Sequence, residues 1–164
     1  MSDLRFDSSL LGDNLPRLIA KELDTFEQRV SEYTSGKLEQ ESFRACRLRF
    51  GIYGLRGLKD KQMIRIKVPC GRINANQLEC VADVTEKFAN GYAHVTTRQD
   101  IQLYEVPISC VPSMLRVLAK YGLTTRESCG NSVRNVTACP FAGLCAKELF
   151  DVRGVAVSAE KRDN

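Results

Sequence analysis

The stretch Gln62-Met63-Ile64-Arg65-Ile66-Lys67-Val68 decides the fold. From Ile64 onward it alternates apolar and cationic residues, which is the period of a β-strand with one buried face. Its isoleucines and Val68 should face the core, and Arg65 and Lys67 should lie side by side on the opposite, open face. Two adjacent cations repel each other, so an anion between them is one explanation of the pattern. An ordinary solvent-facing strand with basic side chains is the other.

The sequence around this strand predicts an α+β fold. Periodicity predicts helices at 10–33, 39–49, 74–90 and 112–121 and further strands at 92–97, 101–106 and 123–126. Three glycines between residues 51 and 57 indicate a loop. From residue 62 the order is β-α-β-β-α-β, the ferredoxin-like arrangement, which predicts a four-stranded antiparallel sheet. Both of its helices should cover one face, leaving the other open for a ligand or partner, and a helical arm should precede it.

Composition and charge indicate one domain, or a domain with an arm, in a reducing compartment. The 164 residues are 43% hydrophobic, enough for a core, and the net charge is only +4. Positive charge concentrates at residues 44–72, where nine arginines and lysines accompany one acid, Asp60. Such a field suits small oxyanions, carboxylates or phosphates, although a solvated basic face would look the same. Seven cysteines without a secretory leader, and no apolar stretch of membrane length, predict a cytoplasmic protein without a membrane partner.

Two further stretches carry polar groups that a regular helix or strand does not require. In residues 95–102 the hydroxyls and amides can orient hydrogen-bond donors, and Arg98 offers a planar fork for a carboxylate. A polar hairpin connection is the alternative interpretation. Residues 130–140 place Arg134, two asparagines and Cys139 between a glycine and a proline, a mixture that suits an anion held beside a cofactor.

The cysteines give little support for a metal site. Cys139 and Cys145 have C-x5-C spacing, and Cys129 lies ten residues before Cys139, whereas a cubane iron–sulfur cluster needs four thiolates. Buried apolar cysteines are the commoner explanation, so no metal ligand is predicted. A structural role is also predicted for the scattered Cys46, Cys70, Cys80 and Cys110. His94, the sole histidine, should be a strand residue and not a base.

Four motifs, taken together, resemble the siroheme-dependent nitrite and sulfite reductases. Between about residues 43 and 152 they follow that family's order: Gly51–Gly54, Met63–Pro69, His94–Gln102 and Gly130–Pro140. The resemblance implies six-electron reduction of nitrite to ammonia or of sulfite to sulfide, with electrons passing through a [4Fe–4S] cluster to siroheme. It also implies that Arg65 and Arg134 are catalytic residues that contact the anion, with Lys67 nearby. Siroheme carboxylates would be held by the cofactor-binding residues Thr96, Thr97, Arg98, Gln102 and Asn135.

The same resemblance divides the chain into four parts. They are a helical arm (1–50), the ferredoxin-like half-domain (51–127), the start of the siroheme-binding region (128–152) and a divergent, frayed tail (153–164). The family's cluster cysteines and second half-domain would lie beyond the match, so the chain is expected to be an inactive fragment alone. Siroheme would be shared with a second half, and the cluster would belong to the complete enzyme. Expected partners are nitrite or sulfite, a C-terminal half, a second copy, or an electron donor.

Two non-catalytic alternatives remain open at this point. A basic ferredoxin-like sheet also describes RNA-recognition modules, but these stack bases on exposed aromatic side chains. Tyr104 is the only nearby aromatic candidate, so nucleic acid is not an expected partner. Alternatively, two copies could pair through the open sheet face and edge as a dimerisation unit.

Overall fold

The computed structural model describes residues 17–58, 60–128 and 135–162. Within these ranges, four strands form one sheet: β1 (Ile52–Gly54), β2 (Lys61–Ile66), β3 (Ala93–Val95) and β4 (Ile101–Pro107). Five helices accompany it in the same part of the chain: α1 (Arg17–Thr34), α2 (Gln40–Arg49), α3 (Ala75–Phe88), α4 (Val111–Lys120) and α5 (Arg153–Arg162). Short 3-10 turns lie at Pro69–Gly71 and Ile108–Cys110.

The sheet is antiparallel and has the order β1-β2-β4-β3. In the central pair, Ile64 lies opposite Leu103, Arg65 opposite Gln102 and Ile66 opposite Ile101. The predicted α+β fold is confirmed, with a four-stranded antiparallel sheet and a helical arm before it. A register shift between Gln62 and Ile64 marks a bulge in the central pair.

The outer strand beside β2 differs from the prediction. We expected residues 51–57 to form a loop and 123–126 to form the last strand, but Ile52–Gly54 is a strand in that outer position. Residues 123–126 contribute one isolated bridge, in which the Lys67 N–H donates to the Thr124 carbonyl at 2.8 Å. The loop prediction was wrong because it counted the glycines and ignored Ile52, a β-branched residue that is fully buried.

The core lies between the sheet and helices α3 and α4. The alternation of β2 buries Ile64 and Ile66, and β4 contributes Leu103 and Val106. These residues form one cluster with the buried faces of the two helices, which include Cys80, Val81, Val84, Met114 and Leu118. Helix α3 begins at a capping box: the Asn74 side chain accepts from the Gln77 N–H at 2.9 Å, and the Gln77 side chain accepts from the Asn74 N–H.

The arm helices pack on the outside of this layer. Phe26 of α1 is 1% exposed and stacks near Phe43 and Phe50 of the α2 region. Arg116 of α4 donates to Asp24 at 2.8 Å and to Glu27 at 2.6 Å, which ties α1 to α4. The predicted beginning of the first helix, at residues 10–16, lies outside the described residues.

The prediction of a frayed tail after residue 153 was wrong. Residues 153–162 form α5, in which Ala156 is 8% exposed, and this helix contacts the turn at Pro69–Gly71. The Asp151 side chain accepts from the Arg153 N–H at 3.0 Å at the start of the helix. An acidic residue beside the first turn is a signal for the start of a helix. It was overlooked because apolar residues in this segment show little helical periodicity. No helix in the described ranges is both long and apolar enough to span a membrane.

Leu103 provides a direct test of this core. It is fully buried on the central strand β4, so Leu103→Ala should lower the free energy of unfolding by about 3 kcal/mol. Leu144→Ala is the matched control, because Leu144 is 82% exposed and its truncation should cost less than about 0.5 kcal/mol. Urea denaturation followed by circular dichroism measures both. Equal effects of the two variants would contradict the assigned core.

Candidate functional site

The candidate site lies on the sheet face opposite α3 and α4, around Arg65. The Arg65 side chain is half-buried and lies across the strands from Gln102, which is 7% exposed. The Gln102 amide oxygen faces Arg65 and accepts from its Nε at 3.0 Å and from Nη2 at 2.7 Å, because an amide nitrogen cannot accept from a guanidinium. The amide nitrogen then donates to the Tyr104 hydroxyl at 2.9 Å. Gln102 therefore fixes the plane of the guanidinium.

Two further groups hold Arg65. Its Nη1 donates to the Ser128 carbonyl at 3.1 Å, and its guanidinium carbon lies 5.4 Å from the centre of the Tyr53 ring. Gly51 allows the Ser128 segment to approach, since it has φ +68° and a Cβ there would overlap the Thr125 carbonyl and the Ser128 hydroxyl. All of these partners are neutral, so the positive charge of Arg65 is oriented without being cancelled.

Lys67 lies two residues beyond Arg65 but is only 4% exposed. The expectation of an open sheet face is therefore wrong at this position: Arg65 is accessible, whereas Lys67 is enclosed. The structure also buries Asp100, which is 5% exposed and accepts from the Val68 N–H at 3.1 Å. Two buried ionic side chains close to the half-buried Arg65 make this end of the sheet strongly polar.

The hairpin between β3 and β4 presents Thr97 and Arg98 to solvent. The Thr96 hydroxyl oxygen accepts from the N–H groups of Arg98 and Asp100, at 3.3 and 3.1 Å, and so closes the turn. Gln99 adopts a left-handed conformation with φ +65°. Thr97 and the Arg98 guanidinium are exposed at the tip, where they can donate to an external anion.

Asn135 joins this hairpin to the end of β2. It is 4% exposed, and its amide nitrogen donates to the carbonyls of Val68 at 2.7 Å and Arg98 at 2.9 Å. Its amide oxygen is buried and has no hydrogen-bond partner among the described residues. Gln99 makes a second link, because its side-chain nitrogen donates to the Ala138 carbonyl at 3.0 Å. Asn135 is therefore a positioning residue for the hairpin that carries Arg98.

The structure brings most of the predicted site residues into one region. Arg65 and Gln102 are in contact, and Asn135 links the backbone after Lys67 to that of Arg98. Arg134 lies outside the described residues. Cys139 and Cys145 are exposed, so the prediction that they are buried was wrong. Within the described ranges, no group of three or more histidine, cysteine, aspartate or glutamate side chains could hold a metal ion.

Sequence reasoning missed several neutral groups around Arg65. Besides Tyr104, whose hydroxyl contacts Gln102, Tyr53 lies beside Arg65, and Tyr92 stacks against Tyr104 with ring centroids 6.5 Å apart. The alternation of the strands places His94 across from Gln102 on the same face. The period-two pattern could have identified Tyr104 and Gln102 as neighbours. No sequence signal identified Ser128, which reaches the site through a turn.

Comparison with known proteins points to one family. The sequence model described as "Nitrite/Sulfite reductase ferredoxin-like half domain" matches residues 56–121. A ferredoxin–nitrite reductase of Leptolyngbya laminosa is 35% identical over 117 residues, which cover 70% of this chain and 23% of the relative. An assimilatory ferredoxin-dependent nitrite reductase of Haloferax mediterranei is 29% identical, covering 90% of this chain and 26% of the relative.

A solved structure shares the fold. The Mycobacterium tuberculosis NirA protein superimposes with a TM-score of 0.72 at 23% identity, covering 91% of this chain and 31% of that one. The chain thus spans about a quarter of the length of the curated relatives named above. Through the half domain at residues 56–121, it belongs to the nitrite/sulfite reductase family.

Proposed function

We propose that this chain forms the N-terminal ferredoxin-like part of a siroheme- and [4Fe–4S]-dependent nitrite reductase, where it holds siroheme carboxylates and the anionic substrate. Nitrite is favoured over sulfite because the relatives compared above are nitrite reductases. Their names also support ferredoxin as the electron donor. Because the chain spans only part of these relatives, the proposal assigns the six-electron reduction to the complete enzyme.

The observation that supports the proposal is the orientation and the uncompensated charge of the Arg65 guanidinium. Three neutral groups orient its guanidinium, and no carboxylate among the described residues lies within ion-pair distance of it. A half-buried cation in this arrangement retains its charge for an incoming anion. Its orientation is set before the anion arrives, so binding requires little reorganisation.

The residues present fit siroheme in part. Siroheme carries eight carboxylates, which need donors, and the exposed Thr97 and Arg98 supply them at the hairpin tip, with the Thr96 hydroxyl proton beside them. The Gln102 amide hydrogen-bonds with Arg65 and Tyr104, and the Asn135 amide nitrogen donates to two backbone carbonyls. We therefore assign carboxylate binding to the three hairpin residues and positioning to the two amides.

The chain's own contribution to the reaction is electrostatic. When bound, the cluster would pass electrons from the donor to siroheme, which would supply the iron that the reduction requires. Arg65 stabilises the negative charge of the bound anion and keeps N–H groups directed toward its oxygens. Lys67 is enclosed, and we keep it as a proposed cation near the anion. Arg134 has the same proposed role as Arg65, as a second cation toward the anion.

Siroheme binding tests the cofactor assignment. The chain should be purified after co-expression with siroheme synthesis, alone and together with the remaining part of a related nitrite reductase, and its visible spectrum recorded. We expect siroheme bands in the visible spectrum. The Arg98→Gln variant should bind siroheme about tenfold more weakly, because one charge-assisted hydrogen bond to a siroheme carboxylate is lost. Arg17→Gln, an exposed arginine on α1, should have no effect. Absence of siroheme in both preparations would contradict the assignment.

Gln102 tests the positioning of Arg65. Gln102→Met keeps the length of the side chain but removes the acceptor of two guanidinium N–H groups. In siroheme-loaded protein, we expect nitrite affinity, measured by absorbance titration, to fall about tenfold while siroheme content stays constant. Gln28→Met on the exposed face of α1 is the matched control. Unchanged nitrite affinity in Gln102→Met would show that Arg65 does not depend on this contact.

A further inference from the structure

A second candidate site lies beneath the helical arm, apart from the Arg65 face. A cavity of about 600 Å³ opens between α1 and α2, and none of the described residues that line it belongs to the site described above. Pockets that bind small molecules usually have about 300–1,000 Å³. The size of this cavity therefore suits a small organic ligand.

The floor of the cavity is apolar. Phe26 and Phe50 lie with ring centroids 4.5 Å apart, and Leu38 and Cys46 complete the surface. Burial raises the pKa of the Cys46 thiol, and the neighbouring Arg29 and Arg49 lower it by less. The thiol is therefore uncharged at neutral pH and belongs to the apolar floor.

The rim of the cavity is cationic. Arg29 pairs with Glu32 at 3.3 Å, and Arg126 pairs with Glu22 at 3.0 Å. Arg49, the third rim cation, has no carboxylate within ion-pair distance in the described parts of the chain. Among the described residues that line the cavity, Glu22 is the only acidic one. Glu32 and Glu22 offset the charges of Arg29 and Arg126, so Arg49 is the cation that favours a negatively charged group at this rim.

A smaller cavity of about 210 Å³ extends the apolar space. It shares Glu22, Phe50 and Arg126 with the first cavity and is lined further in by Leu115 and Leu118 of α4, among others. An apolar tail lying on the Phe26 and Phe50 rings would thus have room to continue beneath α1.

We propose that the cavity between α1 and α2 binds a small amphipathic carboxylate, with the carboxylate on Arg49 and the hydrocarbon body against Phe26, Phe50 and Cys46. This proposal is independent of the nitrite reductase assignment, because it uses no residue of the Arg65 face. The chemistry needed is one negative charge joined to an unbranched or planar apolar body.

Octanoate, 1-octanol and acetate serve as probes for the full chain, with binding followed by backbone amide chemical shifts. We expect octanoate to shift residues of α1 and α2 saturably, and to bind about tenfold more tightly than 1-octanol or acetate. Arg49→Gln should weaken octanoate binding about fivefold. Arg44→Gln on the outer face of α2, where Arg44 pairs with Glu41, should not change it.

A variant that fills the cavity distinguishes loss of octanoate binding from loss of the fold. Ala45 lines the cavity and is exposed, so Ala45→Phe should occupy the space and abolish octanoate binding while the urea midpoint stays unchanged. The proposal is overturned if octanoate fails to bind, if 1-octanol binds as tightly, or if Arg49→Gln binds octanoate like the wild type. Shifts confined to residues outside α1 and α2 would overturn it as well.

Discussion

The contact between Arg65 and Gln102 is the interaction on which the proposed site depends. It exists because β2 and β4 pair in a register that places these residues opposite each other on the face away from α3 and α4. A slip of one residue would turn Gln102 toward the core and bring an isoleucine or leucine to the open face. The buried pairs Ile64–Leu103 and Ile66–Ile101 oppose such a slip. Core packing therefore fixes the geometry of the polar face.

Much of the fold could be predicted because the sequence patterns of its helices and strands agree with the side chains that the structure buries. The alternation in β2, the capping box at Asn74 and the apolar face of α4 each have a local cause that is readable in sequence. The outer strand could not be predicted, because the glycines of residues 51–57 signal a loop, and only tertiary pairing with β2 makes Ile52–Gly54 a strand. Helix α5 was missed for a related reason, since its sequence has little helical periodicity and it packs against the turn at Pro69–Gly71.

The sequence identified the charged residues of the candidate site better than it identified their hydrogen-bond partners. The strand period identified Arg65 as outward-facing, but it could not show that Lys67 is enclosed, because segments distant in sequence determine that burial. The contacts of Gln102 with Arg65 and of Asn135 with the Val68 carbonyl could not be predicted, since an amide's partners are set by its three-dimensional neighbours. The contact of Arg65 with Ser128 could not be predicted either, because it uses a backbone carbonyl, which every residue type has.

The proposed site requires that Arg65 is held rigid before any anion binds. Nitrogen-15 relaxation of arginine Nε–H groups in the isolated chain tests it most directly, because Arg98 at the exposed hairpin tip provides an internal reference. We expect the Arg65 Nε–H to be rigid, with an order parameter of about 0.85, and to become flexible in Gln102→Met. The Arg98 Nε–H should be mobile. Equal mobility of Arg65 and Arg98 in the wild-type chain would contradict this requirement.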